Sequence, residues 1–226
     1  MDIYLGRGKR LEDIDIPTIG KKIGVGEDPL HAVMDVEARN SGFDSRNRVV
    51  MLFEPHIFYR ELKSDPATLE LAVKAGVAYP QWGQSAYPKD SYPRFQIARD
   101  INERCAYRSC SWGLGQVMGF NSSLAGYDTA YAMVSDFSND EDNQLEGMVN
   151  FILNSGLDDE LRDLESAKTD AKRLVAAARF ARGYNGPGYA RHGYHTRIVE
   201  RYKFWLTKPD TKIKDTAWWG RFNPFN

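Results

Sequence analysis

The chain has 226 residues, 42% of them hydrophobic, and a formal net charge of −1; it can bury a real core and suits one large domain or a domain with a lobe. No apolar run is long enough to span a bilayer and Met1-Asp2-Ile3-Tyr4 does not open a signal peptide, so stable membrane insertion is excluded and synthesis in the cytoplasm is expected. The near-neutral total conceals an asymmetry, since residues 168–226 hold 13 Lys/Arg against 4 Asp/Glu; this segment either attracts anionic polymers or neutralises the rest of the fold, and basic residues interleaved with apolar ones at helical spacing favour the second.

The first clear helix opens at Asp28-Pro29, an N-cap followed by proline at the first helical position, and Ser41-Gly42 supply its stop. Leu30, Val33, Met34 and Glu37 fall on one face of it. Arg48 to Phe53 is dense in β-formers and predicts a strand of a small sheet lobe. Pro55 opens a helix through Leu62, Pro66 another through Ala75, and Pro93 a longer one through Tyr107, with a Pro- and aromatic-rich loop from Tyr79 to Tyr92 between. Ser138 is the expected cap of a helix with an acidic first turn and an apolar face of Leu145, Met148, Val149 and Ile152, ending at Gly156. An Ala-rich helix from Thr169 to Arg182 stops at Gly183, and a last one spans Pro187 to Leu206, with the tail from Trp218 packing back on the domain. The pattern is mainly α-helical with a small β-strand lobe.

Glu37 is the most informative side chain. It shares the face that should bury and lies in the last helical turn, where the negative end of the dipole disfavours a carboxylate; both effects raise a carboxyl pKa, as a general acid requires. On that segment alone a surface glutamate at a fraying helix end is the commoner outcome. Cys105 and Cys110, the only cysteines, lack the paired ligands of a zinc site, and cytoplasmic synthesis predicts free thiols. His192 and His195 read as solvated helix residues, so neither metal nor other cofactor is expected.

Two distant segments change the balance for Glu37. Residues 111–119 read Ser-Trp-Gly-Leu-Gly-Gln-Val-Met-Gly and residues 183–188 read Gly-Tyr-Asn-Gly-Pro-Gly. The order acid, Gly-Leu-x-Gln-Val, Tyr-Asn-Gly resembles the three motifs of lysozyme-like enzymes, the goose-type lysozymes and lytic transglycosylases. With Val-Glu-Ala-Arg-Asn-Ser-Gly-Phe-Asp (36–44), Met-Leu-Phe-Glu-Pro-His-Ile-Phe-Tyr-Arg (51–60) and Tyr-Asn-Gly-Pro-Gly-Tyr-Ala (184–190), the chain is similar over roughly residues 25 to 205 to the N-acetylmuramidase domain of phage endolysins. It departs at Ala38, where Ser is usual after the acid, and at Gly115, where a bulky residue usually precedes the Gln; these touch the groove's shape more than the reaction class.

The resemblance implies a lysozyme-like domain over residues 25–226 after an N-terminal extension (1–24); the family's frequent N-terminal wall-binding module, a separate peptidoglycan-binding domain, is not expected here, since too few residues precede the match to build one. It implies cleavage of the β-1,4 bond between N-acetylmuramic acid and N-acetylglucosamine. The partner is the peptidoglycan glycan strand, not nucleic acid; the protein acts as a monomer, held in the host bacterial cytoplasm until a holin opens the way to the periplasm and wall. Glu37 is then the acid. The second carboxylate is Glu54, which as readily reads as a cap before Pro55, or, less well placed, Asp44. Gln116 should present its amide to the sugar or brace its own turn. Tyr184 should desolvate or orient Glu37, and Asn185 should fix the loop or contact substrate. Trp82, Trp112, Tyr79 and Tyr87 could stack on sugars, but aromatics at this density more often belong to a core, which leaves them outside the expected site. The competing readings are a lytic transglycosylase and a non-catalytic wall-binding or phage-tail protein on the same scaffold.

Overall fold

A side-chain cap or a proline at the first or second helical position marks seven of the eleven α-helix starts among the described residues. A computed structural model of the protein describes residues 2–37 and 41–212; Ala38 and the tail from Trp218 lie outside these. Helix α1 (Asp15–Gly20) leads to α2 (Glu27–Glu37), strand β1 (Met51–Phe53), α3 (Pro55–Glu61) and α4 (Pro66–Lys74). Proline takes the first position of both α3 and α4, where its missing N–H is harmless, and the Thr68 N–H donates to Asp65 Oδ1 (3.2 Å) to cap α4. Next come α5 (Tyr92–Ile101), α6 (Glu103–Arg108), β2 (Cys110–Trp112), β3 (Val117–Met118), α7 (Ala130–Phe137), α8 (Glu141–Asn154), α9 (Asp158–Ser166), α10 (Asp170–Asn185) and α11 (Tyr194–Trp205).

Several boundaries differ from the sequence reading, each for a local reason. Helix α2 begins at Glu27, one residue before the expected cap. The helix from Pro93 breaks at Asn102, whose extended backbone lets its side chain accept from Cys105 N (2.9 Å) and cap α6. Ser138 closes α7, while Asp140 caps α8 by accepting from Asp142 N (2.9 Å). Gly183 does not end α10. A Cβ there would meet Leu157 at 2.3 Å, so this glycine serves close packing inside the helix, and the stop falls at Gly186, φ 78°. The last helix is preceded by a 3-10 turn (Pro187–Ala190) and interrupted at Gly193, φ 63°, so α11 starts only at Tyr194. Helices α1, α7 and α9, of six to nine residues, have no counterpart in the sequence reading.

The sheet has the order β1-β2-β3, antiparallel throughout, with Leu52 opposite Ser111 and Ser111 opposite Met118. Strand alternation therefore gives it two different faces. Met51, Phe53, Cys110, Trp112 and Val117 point into the core, and Leu52, Ser111 and Met118 form the other face. Trp112 is fully buried, edge-on to Phe95 and stacked near Tyr107. Beneath it α8 runs through the core with Leu145, Met148, Val149 and Ile152 all fully buried. Among the first residues Tyr4, Ile16, Ile19 and Ile23 enter the same hydrophobic cluster as Leu30 and Val33 of α2. Each such side chain removed from water stabilises the fold by about 1.5–3 kcal/mol.

Candidate active site

A cleft of about 840 Å³ lies between the face of the sheet turned away from the core and the segment joining α10 to α11. The sheet supplies Leu52, Ser111 and Met118, while Glu37, Tyr184 and Asn185 come from the C-terminal ends of α2 and α10. Trp82 and Tyr87, from the loop before α5, and His192, from the turn before α11, complete the rim. The Trp82 and His192 rings meet edge to face, 5.7 Å between centroids.

Glu37 accepts from Asn185 Nδ2 (2.9 Å). Burial raises its pKa from the usual 4.5 to about 7, against the opposing effects of the Asn185 N–H and the Arg197 charge. Two helices end beside this carboxyl, and their dipoles disfavour its ionised form in the same direction as burial. Asn185 Oδ1 is buried without a hydrogen-bond partner among the described residues.

The other expected residues divide. Glu54 sits at the junction of β1 and α3, where its N–H donates to Ser109 O (2.9 Å), but its side chain makes no capping bond to α3. It lines the cleft instead, accepting from the Tyr87 hydroxyl, with His56 Nδ1 3.3 Å away. Asp44 is engaged in its own loop, accepting from Arg46 N and Arg48 N (both 2.9 Å) and from the Arg48 guanidinium. Tyr184 is partly buried, its ring packed against Phe151 and Phe180, and its hydroxyl donates to Gly115 O (2.6 Å), not to Glu37. That ring thus contributes to the wall around the acid.

Gln116 combines its two readings. It lines the cleft, yet Nε2 donates to Gly113 O (2.9 Å) and Oε1 accepts from the Ser111 hydroxyl (2.8 Å), bracing the β2–β3 turn. Its backbone is left-handed, φ 46°, a strained conformation for a non-glycine residue at a turn. The departure at Gly115 has a steric cause: a Cβ there would lie 2.6 Å from Met148 Cγ and 2.9 Å from the Tyr184 hydroxyl. Fully buried Gln144 ties these loops together, accepting from Leu114 N (2.9 Å) and donating to Phe137 O (2.9 Å) and Gly42 O (3.4 Å).

Of the four aromatics set aside from the sequence, Tyr79 and Trp112 are buried, whereas Trp82 and Tyr87 line the cleft. His56, Tyr189, Arg191, His192 and Tyr194 also line it, and the sequence reading missed them all. None stands in a spacing that marks a site; the loop and turn geometry brings them there.

Two carboxyl groups, Glu37 with its pKa raised by burial and Glu54, thus line one cleft, an arrangement compatible with acid-catalysed glycoside cleavage. The N-acetylmuramidase family profile matches residues 27–206, and the chain belongs to that family. It is a peptidoglycan hydrolase with a mainly α, lysozyme-like fold. The crystal structure of a Burkholderia AP3 phage endolysin is similar at 30% sequence identity and a TM-score of 0.71, covering 88% of this chain and 73% of that one. No curated protein matches the sequence.

Proposed function

We propose that the protein is an endolysin that hydrolyses the β-1,4 bond between N-acetylmuramic acid and N-acetylglucosamine, with Glu37 as general acid. The observation that carries this reading is that Glu37 lines the cleft while buried, hydrogen-bonded to Asn185 and with its pKa raised to about 7. Its proton passes to the glycosidic oxygen as the bond from that oxygen to the anomeric carbon breaks and an oxocarbenium-like centre forms. Glu54 stabilises that centre or takes the proton of the water that adds to the anomeric carbon. Gln116 keeps one N–H and one lone pair free for the sugar, and Asn185 Oδ1 accepts from a substrate N–H or hydroxyl. Tyr184 serves by desolvating the acid.

The similarity to a phage endolysin supports a role in host lysis. No helix among the described residues is long and apolar enough to cross a membrane; as the endolysin resemblance implies, a holin would open access to the wall. Mass spectrometry of digested peptidoglycan tests the reaction. Hydrolysis leaves reducing muramic acid ends, whereas products lighter by one water, with 1,6-anhydro ends, would make the enzyme a lytic transglycosylase. Loss of wall clearing in Glu37→Gln is expected. Undiminished clearing would remove Glu37 from the role, and no cleavage by the wild type on permeabilised cells would leave a binding protein.

A further inference from the structure

The direction of the Glu54 carboxylate is not set by its own segment alone. The backbone at position 54 is held by the Ser109 carbonyl, and the side chain forgoes the helix-capping bond available to it. What holds it is a phenol 33 residues away: the Tyr87 hydroxyl donates to Glu54 Oε2. His56 Nδ1 lies 3.3 Å from the same oxygen. Both neighbours therefore converge on Oε2, and Oε1 has no protein hydrogen bond among the described residues. Burial, and then the Glu54 carboxylate, raise the Tyr87 pKa well above its usual value, so the phenol stays protonated and remains a donor.

Resting on the reading of Glu54 as the second carboxylate, we propose that Tyr87 is a positioning residue, whose hydroxyl immobilises Oε2 of Glu54 and so aims Oε1 at the anomeric carbon or the water attacking it. A carboxylate on a flexible side chain that must meet a transient charge gains from being oriented beforehand, and a misplacement of about 1 Å can lower a rate about a hundredfold. The donor comes from the same Tyr79–Tyr92 loop that presents Trp82 to the cleft. Substrate contact by this loop and the orientation of the second carboxylate are thereby mechanically linked.

A double-mutant cycle on soluble peptidoglycan oligomers tests this, using wild type, Tyr87→Phe, Glu54→Gln and the double variant. Tyr87→Phe should lower kcat about tenfold to a hundredfold while KM stays within about threefold. In the Glu54→Gln background the same change should have no further effect. Tyr87→His, which retains a donor, should recover part of the lost kcat and gives the comparison even if the phenylalanine variant folds poorly. A wild-type kcat for Tyr87→Phe while Glu54→Gln is impaired would overturn the positioning role alone. A rise in KM with kcat unchanged would show that the ring only contacts the sugar, and an equal loss in both backgrounds would show that Tyr87 acts independently of Glu54. A wild-type kcat for Glu54→Gln would instead overturn the second-carboxylate reading beneath it.

Discussion

Replacing Glu37 by Gln should stabilise the protein at alkaline pH while abolishing its activity. In the folded state burial raises this carboxyl from 4.5 to about 7. Between those values an unfolded chain releases the proton that the folded chain keeps. The folded state therefore binds more protons, and stability falls as pH rises from about 4.5 to about 7, then levels off. At about 1.4 kcal/mol for each pH unit between the two values, the loss has a ceiling of about 3.5 kcal/mol. The true figure is smaller to the extent that water reaches the carboxyl from the cleft it lines. A glutamine at this position cannot ionise, and its amide oxygen retains the bond from Asn185 Nδ2, so the variant escapes this loss.

Urea or thermal unfolding of both proteins at pH 4.5 and pH 8.5 isolates the effect, because other titrating groups cancel in the difference. For a chain of this size each kcal/mol moves Tm by about 2–4 °C, so the advantage of Glu37→Gln over wild type should grow by several degrees between the two pH values. A stability difference that stays the same at both would refute a buried, neutral acid at position 37. A larger wild-type advantage at pH 8.5 would mean that Glu37 is stabilised as an anion, the opposite of what a proton donor requires.

Activity should fall on the alkaline side with a limb near pH 7, read from kcat/KM on soluble oligomers; a flat profile through pH 9 would contradict it. Among the described residues, Arg197, Tyr184 and Tyr194 interact electrostatically with Glu37. Arg197→Gln removes the positive charge that favours the carboxylate, so the limb should move to higher pH. Gly115→Ala forces a Cβ against Met148 and Tyr184, and should destabilise by about 1–3 kcal/mol in urea unfolding while lowering activity through displacement of the ring beside Glu37. Gln144→Ala leaves the Leu114 N–H without its buried acceptor and loosens both the Gly42 loop and the β2–β3 turn; a loss of about 2–4 kcal/mol is expected, and a change below about 0.5 kcal/mol would show that these loops hold themselves.

What the amino-acid sequence alone settled was local. The apolar face carrying Glu37, the prolines opening α3 and α4, and the strand before Glu54 are written in spacing and capping chemistry within a few residues, and the Gly-Leu-x-Gln and Tyr-Asn-Gly motifs were enough to indicate the fold class and family. Where a break needed only one side chain, as at Asn102 or Asp140, the periodicity on either side concealed it. Gly183 misled for a different reason: its lack of a side chain serves Leu157 on another element, a requirement that sequence spacing does not express.

The partners of the acid and of the second carboxylate belong to the tertiary structure. Asn185 reaches Glu37 across 148 positions and Tyr87 reaches Glu54 across 33, contacts set by how α2, α10 and the loop before α5 pack and by nothing either segment contains alone. The sequence left Glu54 balanced between a helix cap and a site residue, because both roles ask for a carboxylate before Pro55. Only the fold, by placing the Tyr87 phenol beside the oxygen that the neighbouring His56 also approaches, decided for the cleft.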